Sequence, residues 1–165
     1  MDNIVVLGAG FGGLRTASFL AKRGKKIILI DKNDYHTYVP LLYEIAVTPK
    51  ELANYCQLKS IVSFPIEKLI KGLSIEFVHA EVSELDIVNG DIHLLSGKKI
   101  YFDQLVIALG AETNFFDIPG LKEAALPFKS LIDALKIRDE LTSQPLGFKP
   151  KVIIGIPSGV TEVER

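Results

Sequence analysis

The chain has 165 residues, about one domain's worth, with 48% hydrophobic residues and a formal net charge of −1, which gives no reason to expect nucleic acid as a partner. Its single cysteine, Cys56, excludes an intrachain disulfide and fits a cytoplasmic setting. No apolar run approaches the roughly 20 residues of a membrane span, no basic-plus-apolar leader opens the chain, and no Cys/His cluster has metal-ligand spacing.

Residues Asn3 to Asp31 read as β-α-β. An apolar run, Ile4 to Leu7, enters Gly8-Ala9-Gly10-Phe11-Gly12-Gly13. The spacing predicts a helix over Leu14 to Arg23, with Leu14, Ala17, Leu20 and Ala21 toward one side. Lys22 and Arg23 fall in its last turn, and Gly24 is suited to a left-handed C-terminal position. A second buried strand, Ile27 to Asp31, ends in an acid 18 residues beyond Gly13. This order suits a dinucleotide held by its pyrophosphate. Gly8 allows the tight turn, Gly10 lets the backbone approach the phosphates, and Gly13 lets the helix sit close to the sheet. The helix N-terminus offers free N–H groups to an anion, and Asp31 can accept hydrogen bonds from a ribose. The same pattern also serves a βαβ unit whose glycines are for packing alone.

From Lys32 to Phe64 the pattern is irregular, with Tyr35, Tyr38, Tyr43 and Tyr55 among two prolines, and predicts a long connection of the functional kind. Pro65 to Lys71 reads as a short helix with Pro65 at its first position. Leu73 to Ala80 reads as a strand. Three short strands follow, Val82 to Val88, Ile92 to Leu95 and Lys99 to Phe102, with turns at Asn89-Gly90 and Ser96-Gly97. Leu105 to Leu109 is a buried strand ending at Gly110, and Asn114 to Pro127 is a loop. Ser130 caps a helix to Ser143, with Asp133 three residues on. Gln144 to Pro150 is a linker, and Val152 to Ile156 a last strand. His36, His79 and His93 are scattered and suit packing or surface roles. The predicted fold class is α/β: a Rossmann-like dinucleotide-binding parallel sheet with helices on both faces and a small antiparallel β layer, which the resemblance below assigns to FAD/NAD(P).

Tyr35-His36-x-Tyr38-x-Pro40-Leu41-Leu42-Tyr43-Glu44-x-Ala46 resembles the FAD-binding segment of type II NADH dehydrogenases, flavoenzymes that pass a hydride from NADH to quinone. Tyr101-Phe102-Asp103-x-Leu105-Val106-Ile107-Ala108-Leu109-Gly110 resembles that family's second FAD motif. Thr113 to Leu121, and Phe128 to Leu131 leading into Ala134-Leu135-x-Ile137-Arg138, are similar as well.

The resemblance implies that Gly8, Gly10 and Gly13 hold the FAD pyrophosphate and Asp31 the adenosine ribose, with Phe11 and Gly12 also among the cofactor-binding residues. Lys32 would lie beside the adenine, with Val82 touching it through its backbone. His36, Pro40 and Leu41 would run near the isoalloxazine ring. Ala108 and Gly110 would close over the cofactor. Leu109 stands where the family usually has Thr, which removes a hydroxyl near the cofactor. The close cysteine pair of the disulfide-type flavoproteins is absent between Tyr35 and Tyr55, so redox chemistry would pass through flavin directly.

The resemblance further implies a protein about two or three times as long in domain terms, with a complete NADH-binding βαβ and a returning C-terminal segment. The expected organisation is therefore an FAD-binding part over residues 1–143, with a linker and the start of a truncated or foreign second domain over 144–165. Lys149 to Arg165 resembles a strand–loop–helix of the rod-shape-determining bacterial actin family, where Pro-Ser-Gly lies near a nucleotide phosphate. Two explanations stand: a diverged NADH motif, in which Gly159-Val160-x-Glu162 mimics its Gly-Val-Glu, or a joined foreign segment.

Three functions compete: the FAD half of an NADH:quinone oxidoreductase, a non-catalytic dinucleotide-binding module, and a remnant that binds nothing. The residues encode no membrane association of their own. With its second dinucleotide motif interrupted at Ile156-Pro157, the chain is expected to turn over NADH weakly or not at all.

Overall fold

A computed structural model describes residues 3–145 and, beyond them, residues 147, 149, 151, 153 and 155. The expected last strand over residues 152–156 and the two explanations of the 149–165 segment lie outside the described residues, Lys149, Lys151, Ile153 and Gly155 excepted.

Four parallel strands form the central sheet: β1 (Ile4–Leu7), β2 (Ile27–Asp31), β5 (Ile75–His79) and β9 (Gln104–Ile107), in the order β5-β2-β1-β9. The outward order of the first three, with the fourth on the far side of β1, is that of a dinucleotide-binding half. β1 pairs with both neighbours in register, Ile4 opposite Ile27 and Gln104. Every residue of β1 is buried because both sheet faces are covered, which is why its sequence is an unbroken apolar run.

Successive side chains alternate between two cores. Ile4, Val6, Ile27 and Leu29 face helix α1 (Phe11–Ala21) and the single-turn helix α4 (Ile66–Leu69), burying Ala17, Ala21 and Ile66. Val5, Leu7 and Ile30 face an antiparallel layer of β6 (Val82–Asp86), β7 (Asp91–Leu94) and β8 (Lys99–Tyr101), meeting Ile92, Leu94 and Phe102. The parallel sheet, its helices and the small antiparallel layer are as expected. The expectation of helices on both faces is refined: among the described residues one face carries the helices and the other carries the antiparallel layer.

The hairpin turns fall at the two expected dipeptides, with Gly90 at φ +74° and Gly97 at φ +83°. Asp86 braces the first by accepting hydrogen bonds from the Asn89 N–H at 2.9 Å and the Asn89 side-chain amide at 2.6 Å. These bonds hold the Asp86 carboxyl below its ordinary value. A depressed carboxylate contributes stability above its unfolded pKa, and that contribution is lost as pH falls through the folded value. Between about pH 5 and pH 3, Asp86→Ala should therefore lose less melting temperature than the unaltered chain. Parallel thermal melts of the two across that range test this.

The 32–64 stretch departs from expectation. It is not one irregular connection: it holds β3 (Tyr35–Thr37), a 3₁₀ turn (Val39–Leu41), α2 (Leu42–Val47), α3 (Tyr55–Val62) and β4 (Ser63–Pro65). Each element has eight residues or fewer, too short for a clear periodic signal. β3 and β4 pair antiparallel, His36 opposite Phe64. Pro65 ends β4 and precedes α4; the expectation that it is the first helical residue fails because its ψ is extended, 126°. α2 and α3 pack against α6 (Leu131–Thr142) around Leu42, Ile45, Leu58, Val62, Leu131 and Ala134. This third core touches neither face of the parallel sheet through those residues. The 114–127 loop is as expected, apart from one helical turn, α5 (Leu121–Ala124).

Ser130 caps α6 through the reciprocal box with Asp133, as the sequence predicts. α1 begins at Phe11 rather than Leu14, because Gly12 and Gly13 take helical geometry behind the N-cap Gly10. It ends at Ala21, so Lys22 is the C-cap and Arg23 lies beyond it instead of in the last turn. Gly24 is left-handed, φ +79°, as expected.

Candidate functional site

The three motif glycines do three different jobs. Gly8 leaves β1 with φ +96°, donating its N–H to the Ile30 carbonyl at 2.7 Å. A Cβ there would collide with the Ala108 carbonyl, so Gly8 is fixed by fold. A Cβ on Gly13 would collide with the Gly8 carbonyl, with Ala108 Cβ also in contact. Gly13 thus lets α1 sit on the turn that precedes it. Gly10 differs: its φ is −73° and a Cβ would meet nothing within 4 Å. Among the described residues no packing needs Gly10 to lack a side chain. The space over it is open, as close approach of a ligand to the backbone requires.

The helix turns that open space into an anion site. The first bond of α1 runs from the Leu14 N–H to the Gly10 carbonyl at 3.0 Å. The N–H groups of Phe11, Gly12 and Gly13 precede it, and no side chain caps the helix at Gly10. Free donors and the positive dipole end of an 11-residue helix meet there.

Side chains from two other strands hold the loop. Asp31, at the end of β2, accepts the Ala9 N–H on Oδ2 at 2.6 Å and the Asn33 N–H on Oδ1 at 2.8 Å. Oδ1 also accepts the Asn33 side-chain amide at 3.3 Å, whereas Oδ2 keeps a second acceptor site that can take a ribose hydroxyl. His36, on β3, lies 3.0 Å through Nδ1 from the Ala9 carbonyl. A carbonyl only accepts, so Nδ1 carries the proton. His36 is 8% exposed, and Phe11 stands edge-on to it at 4.7 Å between ring centroids, with Tyr38 at 5.5 Å from Phe11.

The remaining candidates collect at the same carboxyl edge of the sheet. Lys32 follows β2, is exposed, and offers its carbonyl to His79 Nε2 at 3.0 Å. Val82, half-buried, opens β6 just after β5 ends. Ala108 extends the β9 pairing, donating its N–H to Leu7 at 2.8 Å, and Gly110 turns the chain at φ +77°. Pro40 and Leu41 sit in the 3₁₀ turn beyond His36. Gly8, Gly10, Phe11, Gly12, Gly13, Asp31, His36 and Ala108 are joined by direct contacts or neighbouring positions in one loop cluster. Lys32, Val82 and Gly110 lie at or just beyond strand ends without a hydrogen bond to that cluster, and Leu41, next to Pro40, packs against the third core.

The His36 hydrogen bond was not visible in the sequence, where this histidine reads as a packing residue. No residue pattern carries a signal for it, because β3 is only three residues long and the bond reaches a backbone carbonyl 27 residues away. A separate open groove of about 590 Å³, lined by Ile4, Phe19, Leu20, Gln104 and Val106, lies at the opposite, amino end of the strands. It holds none of the candidate residues.

Comparison with known proteins agrees with this geometry. The chain matches the family described as pyridine nucleotide-disulphide oxidoreductase over residues 2–164. It is 32% identical to demethylphylloquinone reductase NdbB of Synechocystis, over 94% of this chain and 39% of that protein. It is 34% identical to the type II NADH:quinone oxidoreductase of Staphylococcus aureus, over 81% of this chain and 32% of that protein. Among solved structures, the sulfide:quinone oxidoreductase of Aquifex aeolicus superposes with a TM-score of 0.71 at 27% identity, covering 87% of this chain and 32% of that one. The chain spans about two-fifths of the length of the first of these relatives. By sequence, by fold and by the open glycine loop at its sheet edge, the chain belongs to the pyridine nucleotide-disulphide oxidoreductase family.

Proposed function

We propose that this chain binds FAD at the carboxyl edge of its parallel sheet and forms the flavin-binding part of an NADH:quinone oxidoreductase. The observation that carries the reading is Gly10, open to approach in front of the free N–H groups of α1, with Asp31 anchored beside it. Gly8, Gly10, Phe11, Gly12 and Gly13 hold the pyrophosphate, and Asp31 takes the adenosine ribose. Lys32 and Val82 flank the adenine. His36, Pro40 and Leu41 run beside the isoalloxazine, and Ala108 and Gly110 close the site. Bound FAD supplies hydride acceptance from NADH and delivery to quinone. The chain's own contribution is to bind and orient it.

The relatives' names support NADH and quinone as partners, since one is a type II NADH:quinone oxidoreductase and another a quinone reductase by name. A single cysteine supports electron flow through flavin without a disulfide relay. We place the protein in the cytoplasm, where Cys56, an exposed free thiol, stays reduced. Among the described residues no helix is long and apolar enough to cross a membrane.

Titration of the purified chain with FAD, followed by flavin fluorescence, tests the reading. Saturable quenching is the expected result; none up to millimolar FAD refutes it. Adding NADH without air then separates catalysis from binding alone, since bleaching of the bound flavin shows hydride transfer. Asp31→Ala should weaken FAD binding by about 1.5–3 kcal/mol, the worth of a charge-assisted hydrogen bond, which is roughly 10- to 150-fold in Kd. Unchanged affinity in that variant would remove Asp31 from the site.

A further inference from the structure

The glycine loop contains two consecutive peptide planes, and a side chain from a different strand fixes each. The Gly8–Ala9 plane is held by Asp31, which takes the Ala9 N–H. Its other end, the Gly8 carbonyl, is pressed toward Gly13. The Ala9–Gly10 plane is held by His36, which donates Nδ1–H to the Ala9 carbonyl at 3.0 Å. The peptide is trans, so the Gly10 N–H points to the side opposite that carbonyl. The direction of the Gly10 N–H, and the entry into α1 behind it, therefore follow from where His36 places Nδ1.

The mount of His36 is rigid. It lies on β3, paired with β4 opposite Phe64, and the Ile66 N–H closes the ribbon onto the Asp34 carbonyl at 3.0 Å. Phe11, the first residue of α1, packs edge-on against the same imidazole. One buried ring thus touches both the carbonyl before the N-cap and the side chain after it. Nothing in packing alone requires a hydrogen-bond donor at a position that a phenyl ring would fill.

We infer that His36 is a positioning residue for the pyrophosphate site: it aims the Gly10 and α1 N–H groups by clamping the Ala9 carbonyl through Nδ1–H. The inference rests on the proposed FAD reading. It also joins the phosphate end of the site to the 35–41 segment, since one side chain carries the link.

Two substitutions separate the donor from the ring. His36→Phe keeps the flat apolar ring beside Phe11 and removes the donor. His36→Asn removes the ring and keeps a nitrogen donor on Cγ, where Nδ1 is attached. His36→Gln sets its amide nitrogen one bond further out. FAD affinity is read by fluorescence quenching on the whole chain, and the exchange rates of the Ala9 and Leu14 amides are read by NMR without ligand. The expected result is about a tenfold loss of FAD affinity in His36→Phe and His36→Gln. Both amides should also exchange faster in those variants, with His36→Asn within about twofold of the unaltered chain on both readouts. Equal losses in His36→Phe and His36→Asn, or no loss in His36→Phe when the unaltered chain binds FAD, overturn the inference alone. Failure of the unaltered chain to bind FAD overturns the proposed function and takes this inference with it.

Discussion

Gly13→Ala should lower the melting temperature by about 6–12 °C, while Gly10→Ala leaves it nearly unchanged. The added methyl on Gly13 falls on the Gly8 carbonyl, a backbone group that cannot swing aside. Gly8 is held through its N–H by Ile30, and the peptide after it by Asp31. Relief must come from lifting α1 off the turn or opening the loop. A cost of about 3 kcal/mol is the scale of such overpacking. At Gly10 the methyl meets nothing and φ is −73°, an ordinary value for alanine, so stability moves by no more than about 0.5 kcal/mol. Binding should reverse the ranking of those two effects. Gly10→Val places a branched side chain in the open space and should weaken FAD by at least about tenfold with the fold intact. Calorimetry and FAD titration on the same samples check both halves. A Gly13→Ala chain as stable as its parent would refute the described loop, and a Gly10→Val chain with unchanged affinity would refute the site.

Arg138→Ala should cost about 3–5 kcal/mol, or roughly 6–20 °C in melting temperature. Arg138 is 5% exposed on α6 and donates to three backbone carbonyls: Thr48 at 2.6 Å, Pro49 at 2.9 Å and Ala53 at 2.6 Å. These acceptors come from the bend between α2 and α3, which has no regular ladder of its own. A planar fork with several donors can serve all three at once; a lysine ammonium cannot reach them with the same geometry. Arg138→Met keeps the stem in the third core and should still lose most of the stability, because the lost part is the hydrogen bonding. Lys50→Ala is the contrast. Its ion pair with Asp139 is 2.7 Å long but exposed on both sides, so it should change stability by less than about 1 kcal/mol. Thermal melts of the three variants decide it. Arg138→Met melting with its parent would show that the carbonyls find other donors.

The sheet and glycine loop were readable in the sequence because their signals are local and repeated. β1 is four buried residues in a row, and Gly8 and Gly24 stand where φ must be positive. The α6 cap was readable because Ser130 and Asp133 are three residues apart and next to an apolar stripe. The same logic would have found α3, whose Asn54 and Gln57 form the same reciprocal box, but the tyrosines and prolines of the 35–55 stretch obscured it. The 35–65 ribbon was not readable, since β3 and β4 are three residues each and pair across two helices. The link from His36 to Ala9 spans 27 residues and joins a side chain to a backbone carbonyl, so no pattern of residue types encodes it. Lys22 and Arg23 misled in the opposite direction: basic residues near a glycine suggest a last turn, and the helix had already ended.

The third core has a consequence for how the chain emerges during synthesis. α2 and α3 bury their apolar faces against α6, and Arg138 reaches back 90 residues to Thr48. At about 5–20 residues per second, a ribosome needs roughly 5–18 s to make that stretch. Through that interval Leu42, Ile45, Leu58 and Val62 have no α6 to cover them, although β1, α1 and β2 are already complete. The nascent chain therefore carries a sticky, half-built helical pair beside a finished βαβ unit. That pair is where a chaperone would bind first and where a slowed ribosome would do most harm.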